Sequence, residues 1–198
     1  MKKRNTIMVV DMIHGFITEG ALHDERIMEI VPNIQELIRS FANNKETDYV
    51  IFEDAHSENS VEFKSFPPHC LKGTKESKTI PTIAQEMNGV LGYSQIVDKN
   101  STNGFYRYLE DFDKTPVESH REYVIVGCCS DICVLHLALS LKTYLNEEDF
   151  DSKVIVLEDC ISTFDAPNHN AEEVSNMALT MMKIAGIEVM KLEDYINE

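Results

Sequence analysis

The sequence predicts a three-layer α/β fold, an open sheet of six mainly parallel strands with helices on both faces. Short apolar runs rich in β-branched residues alternate with longer segments of helical periodicity. Several of those runs end abruptly at a charged residue, as buried parallel strands do when the chain returns to the rim of a sheet. With 198 residues and 43% hydrophobic side chains the chain can bury one substantial core, and a single domain over residues 1–198 is expected.

The first strand is Thr6 to Val10, delivering Asp11 to its C-terminal end. A helix is predicted from about Ile27 to Phe41, because Ile27, Ile30, Ile34, Leu37, Ile38 and Phe41 recur at helical spacing. "DYVIFED" is the second strand and stops at Asp54. From His56 to about Lys78 the text is polar and broken by proline and glycine, which predicts a long functional loop. A short helix over Thr82–Leu91 precedes a third strand, "YSQIVDK", ending at Lys99. The stretch from Asn100 to Glu118 is ambiguous, its Phe105, Tyr106, Tyr108, Leu109 and Phe112 suiting both core and cleft. "REYVIVGCC" is the fourth strand, and "SDICVLHLALSLKTYLNEED" switches at once to helical periodicity. "KVIVLEDC" is the fifth, followed by a loop, a helix beginning near Asn170 and a short sixth strand in "GIEVMK".

Composition narrows the partners. Eighteen Lys and Arg against 34 Asp and Glu give a formal charge of -16, which repels phosphate backbones, so nucleic acid is excluded as a partner. No apolar run approaches the roughly 18 residues of a membrane span, and the polar start lacks a cleavage-site pattern, so a cytoplasmic protein with no membrane partner is expected. Cysteines at 70, 128, 129, 133 and 160 are odd in number, which argues for reduced thiols.

In open α/β sheets ligands gather at the carboxyl ends of the strands. Asp11, Asp54, Lys99 and the segment leading to Cys133 all fall there. Cys133 lies in the first turn of a helix, where backbone N–H groups favour a thiolate, although cysteine is also an ordinary small core residue. Asp11 can take the thiol proton and return it to a leaving amine, the two proton transfers that acyl transfer requires. Lys99 can stabilise the thiolate and orient Asp11. The plainer account is that acids and lysines end strands because the chain meets solvent. Asp54, His56, Glu62 and His69 supply carboxylates and imidazoles suited to zinc, manganese or iron, with Glu58 competing for the place of Glu62 and an incidental polar loop as the plainer account. Phe16 and Phe66 are candidates to cover a planar substrate.

From "VVDMIHGF" through "FEDAH", "FPPHCLKGT" and "IVDK" to "VGCCSDICV", the chain resembles the isochorismatase-like cysteine hydrolases, and among them the nicotinamidases. The resemblance implies a catalytic triad of Asp11, Lys99 and Cys133. It also implies a cis peptide between Cys128 and Cys129, with the amides of Cys129 and Cys133 as oxyanion hole. A divalent metal, zinc foremost with manganese or iron as alternatives, is implied at Asp54, His56, Glu62 and His69. Phe16 and Phe66 match the family's aromatic positions, the latter often tryptophan in relatives, and "KNSTNGFYRYL" departs from the commoner pattern after the lysine. The expected substrate is a small amide, nicotinamide first. Another small amide or carbamoyl compound, or a noncatalytic binding role, are the alternatives. A homo-oligomer is expected only as soluble enzymes generally form one.

Overall fold

A computed structural model describes residues 4–112 and 120–197. Six strands, β1 (Arg4–Val10), β2 (Thr47–Asp54), β3 (Ser94–Lys99), β4 (His120–Cys128), β5 (Lys153–Ser162) and β6 (Glu188–Met190), form one sheet in the order β3-β2-β1-β4-β5-β6. Every pairing is parallel. The chain moves outward from β1 to β2 and β3, then crosses back to lay β4 on the other side of β1. That reversal opens a crevice at the carboxyl ends of β1 and β4, the usual ligand position in such sheets.

Period-two alternation divides the strand residues between two cores. Ile7, Val9, Tyr49, Ile51, Val124, Val126, Ile155 and Leu157 face one side, where α1 (His14–Ile17), α2 (Val31–Phe41), α3 (Pro81–Met87) and α7 (Leu192–Asn197) pack into the same core. Met8, Val10, Val50, Phe52, Tyr123, Ile125, Val154 and Val156 face the other, beneath α4 (Phe105–Phe112), α5 (Cys133–Glu147) and α6 (Ala171–Ile184). Ile34, Leu37 and Ile38 of α2 are fully buried, each worth about 1.5–3 kcal/mol of transfer free energy.

Two local expectations change, one ambiguous stretch is assigned, and one element is added. The predicted helix from Ile27 is a 3-10 segment over Glu25–Ile30, with α2 starting only at Val31, because Pro32 supplies no N–H and fits only a first helical turn. The helix after Pro81 stops at Met87, just before Asn88 and Gly89. The ambiguous aromatic stretch begins as α4, sending Phe105 and Tyr108 to the core while Tyr106 is exposed; the Phe112 side chain and residues 113–119 lie outside the described residues. The C-terminal α7 carried no expectation.

The long loop after β2 is tied down at both ends. Buried Glu53 accepts bonds from Lys78 Nζ at 2.9 Å, Thr79 N at 2.9 Å and Thr79 Oγ1 at 2.7 Å. The returning chain runs beside the departing one, with His56 N donating to Cys70 O and Lys72 N to His56 O, each at 2.9 Å. Inside the loop a short 3-10 turn, Val61–Lys64, is capped by Ser60. Among the described residues no helix is long and apolar enough to cross a membrane.

Candidate active site

Four neighbouring strands deliver side chains to the crevice. Asp11 follows β1 in the left-handed region at φ 51°, a conformation that costs a non-glycine residue energy and turns its carboxylate back over the strand ends. Its Oδ1 accepts from the Asp54 amide at 3.0 Å, and its Oδ2 lies 2.8 Å from Lys99 Nζ. Lys99, the last residue of β3, also bonds Asp54 Oδ1, donates to Ser101 O at 3.2 Å and stands 3.9 Å from Cys133 Sγ. An Asp11 oxygen, an Asp54 oxygen and Cys133 Sγ all lie within 4.8 Å of one another.

Cys133 opens α5, where the orphan N–H groups of a first helical turn gather. The Cys128–Cys129 peptide before it is cis. The Cys129 carbonyl accepts from Ile132 N at 3.2 Å and Val134 N at 3.1 Å, so the chain turns tightly around it into the helix. Gly127 makes the approach possible: its φ is 116°, and a Cβ there would sit 2.0 Å from Val10 O.

Burial drives the electrostatics of this group. It raises the Asp11 carboxyl to about 7, against the opposing pull of Lys99. It also raises the Cys133 thiol well above its ordinary range, with Lys99 again opposing. For Lys99 burial favours the neutral amine, but Asp11 and Asp54 outweigh it and hold the ammonium. Burial likewise pushes Asp54 up, and Lys99 with His56 and His69 more than offsets it, keeping Asp54 ionised. The arrangement is one ammonium between the ionised Asp54 and an Asp11 poised near neutrality, beside a thiol that burial keeps protonated.

On the other side of Asp54 stands a second cluster. His56 Nε2 lies 3.5 Å from Asp54 Oδ2 and 3.6 Å from Glu62 Oε1, and His69 Nε2 lies 3.7 Å from Asp54 Oδ2. His69 Nδ1 is bound to Pro67 O at 2.8 Å, which leaves Nε2 for the cluster. Glu62 Oε2 accepts from Thr102 N at 3.0 Å, while Glu62 Oε1 and His56 Nε2 are buried without a hydrogen-bond partner. Buried polar atoms without partners are costly. Their spacing is close to the edge, about 3.4 Å, of a tetrahedron with the bond lengths zinc takes to nitrogen and oxygen. All four sequence-predicted ligands therefore converge, Glu62 included, and their mixed N/O set fits a divalent ion.

A cleft joins the two clusters, lined by Asp54, Glu62, His69, Cys129 and Cys133. Phe16 and Phe66 line it as well, with rings 5.7 and 6.3 Å from the His69 ring. Sequence reasoning missed Leu22, Ile132 and Phe164, which supply further apolar wall, and Phe63, whose ring packs 5.4 Å from His56 and 5.7 Å from His69. Only the adjacency of Phe63 to Glu62 hinted at it. Cys70 is buried beneath the loop, as expected, and its thiol is pushed up by burial.

Comparison with known proteins agrees with this geometry. The isochorismatase domain family matches residues 5–194. Nicotinamidase 1 of Arabidopsis thaliana is 26% identical over 187 residues, covering 85% of this chain and 73% of its own. An isochorismatase-like hydrolase from Alkaliphilus metalliredigens superposes with a TM-score of 0.74 at 25% identity, over 98% of both chains. The pyrazinamidase of Pyrococcus horikoshii, solved in complex with zinc, superposes with a TM-score of 0.67 at 24% identity, over 95% of this chain and 99% of its own.

Proposed function

The chain belongs to the isochorismatase domain family, and from that premise we propose that it hydrolyses a small carboxamide, nicotinamide first among them, through a thioester on Cys133. The observation that carries this reading is the convergence of Asp11 and Lys99 on Cys133, whose side chain lines an apolar cleft.

In the proposed reaction Asp11 takes the proton of Cys133, and the thiolate attacks the carboxamide carbon. A carboxyl near neutrality can accept that proton and later give it up, which suits a group that must do both. The start of α5 and the Lys99 ammonium favour the thiolate as it forms. The amides of Cys129 and Cys133 are the proposed donors to the tetrahedral oxyanion, where losing one good donor costs about 3–4 kcal/mol. Asp11 protonates the departing nitrogen, ammonia leaves, and a water deprotonated by Asp11 attacks the thioester to release the carboxylate and restore the thiol. Lys99 holds Asp11 throughout.

Asp54, His56, Glu62 and His69 would hold a divalent ion, zinc foremost and manganese or iron next, and the zinc in the Pyrococcus horikoshii relative supports that order. When bound, the ion supplies a Lewis-acid anchor for a ring nitrogen of the substrate. Phe16 and Phe66 would hold the flat ring. The test is turnover by metal-replete protein across nicotinamide, aliphatic amides and carbamoyl compounds, with products resolved by mass. Preference for nicotinamide supports the reading; confinement of turnover to carbamoyl or aliphatic amides replaces it with that of a different amidase.

A further inference from the structure

After β5 the chain makes a tight reversal, with Ala166 N donating to His169 O at 3.0 Å and His169 N to Ala166 O at 2.9 Å. The reversal folds the His169 imidazole flat onto Phe164, with ring centroids 4.0 Å apart and planes 7° from parallel. Both imidazole nitrogens face oxygens: Nδ1 the carbonyl of Phe164 itself at 3.0 Å, and Nε2 Asp131 Oδ2 at 2.8 Å. Asp131 lies in the turn between Cys129 and Cys133. The same loop is fastened to the opposite end of the sequence, since Asp24 Oδ2 accepts from Asp165 N at 2.8 Å while its Oδ1 caps Arg26 N at 2.9 Å. A half-buried phenylalanine on a loop would ordinarily sample several rotamers. Here stacking on one face and three tethers around it remove that freedom.

We infer that Phe164 determines specificity as a third aromatic wall of the cleft, selecting flat rings, and that His169 and Asp131 are the positioning residues that fix it. Phe164 lines the same cleft as Phe16 and Phe66 but comes from a different strand end, so it completes the enclosure of a planar ligand that those two begin. Fixing the wall in advance raises affinity by removing an ordering cost at the moment of binding. The inference rests on the small-amide reading for what enters the cleft, but it concerns ring recognition, which can be measured without turnover.

The experiment titrates nicotinate, a flat ring that carries no hydrolysable amide, onto metal-replete wild type and the Phe164→Leu, Phe164→Tyr and His169→Gln variants. Alkylation of Cys133 by iodoacetamide is followed in parallel. Phe164→Leu is expected to weaken nicotinate roughly five- to tenfold with the alkylation rate within twofold, Phe164→Tyr to stay near wild type, and His169→Gln to fall between. Unchanged nicotinate affinity in Phe164→Leu overturns the wall, as does equal loss in the leucine and tyrosine variants. Wild type that binds nicotinate yet hydrolyses no amide removes the proposed reaction while leaving the wall to be judged by the variants. Absence of saturable nicotinate binding to wild type overturns the wall, while the reaction stands or falls on the turnover panel.

Discussion

Lys99 Nζ lies 2.8 Å from Asp11 Oδ2, and both side chains are almost wholly enclosed. With Asp54 as second partner, the ammonium is the common counter-ion of two buried carboxylates. Removing it takes away the main counter-ion of both buried side chains.

Lys99→Met is therefore expected to be the most disruptive single change at the site. Breaking a buried pair by deleting one partner costs about 3–5 kcal/mol, and turnover should vanish along with the ordering of Asp11. Urea denaturation paired with amide kinetics checks it. A variant as stable as wild type means that the carboxylates need no counter-ion.

Cys133→Ala should abolish amide turnover, by about 10³-fold or more, while leaving the melting transition and metal content close to wild type. Cys70→Ala, at a buried thiol of the loop after β2, should keep most of the activity and lose only packing. Mass spectrometry of quenched wild type should find the acyl group on Cys133. An adduct on another thiol, or comparable loss in both variants without misfolding, shows the wrong cysteine to have been chosen.

At the second cluster, Glu62→Ala deletes a carboxylate oxygen that is buried without a hydrogen-bond partner. It is expected to weaken zinc at least tenfold in equilibrium titration, and to weaken nicotinamide before it slows labelling of Cys133. Glu62→His should retain an ion with altered preference, because imidazole is a ligand but brings no negative charge. Identical metal affinity in wild type and Glu62→Ala takes Glu62 out of the site without touching Cys133.

Gly127→Ala tests the close approach of β4 to β1. An added methyl meets the Val10 carbonyl at 2.0 Å, and the φ of 116° is itself hostile to alanine. The expected loss is at least about 2 kcal/mol of stability, visible as a lower melting temperature with reduced soluble yield. Wild-type stability would mean that the two strands separate at little cost.

Much of this was legible in the chain itself, for a physical reason. Strands buried on both faces must be nearly continuously apolar, so the acids that end β1 and β2, Asp11 and Asp54, stand out by contrast, while Lys99 ends the partly exposed edge strand β3. The abrupt change of period after Cys129 likewise located Cys133 at a helix start. What escaped was set by contacts between distant segments. Phe164 and His169 look like ordinary loop residues until a hairpin stacks them, and Phe63 gains its place only when the loop return brings His69 beside His56. The break before α2 is carried by a local signal, Pro32, but the apolar spacing runs straight through it and masks the boundary.

Asp54 turns its two oxygens toward different neighbours, Oδ1 to Lys99 and Oδ2 to His56 and His69. One carboxylate has a single negative charge to divide between them. Charge drawn toward one oxygen is withdrawn from the other, so the thiol centre and the imidazole cluster are thermodynamically linked through one side chain. Linkage is reciprocal. Proton uptake beside Cys133 and ion binding on the imidazole side are therefore coupled, each changing the free energy of the other by the same amount.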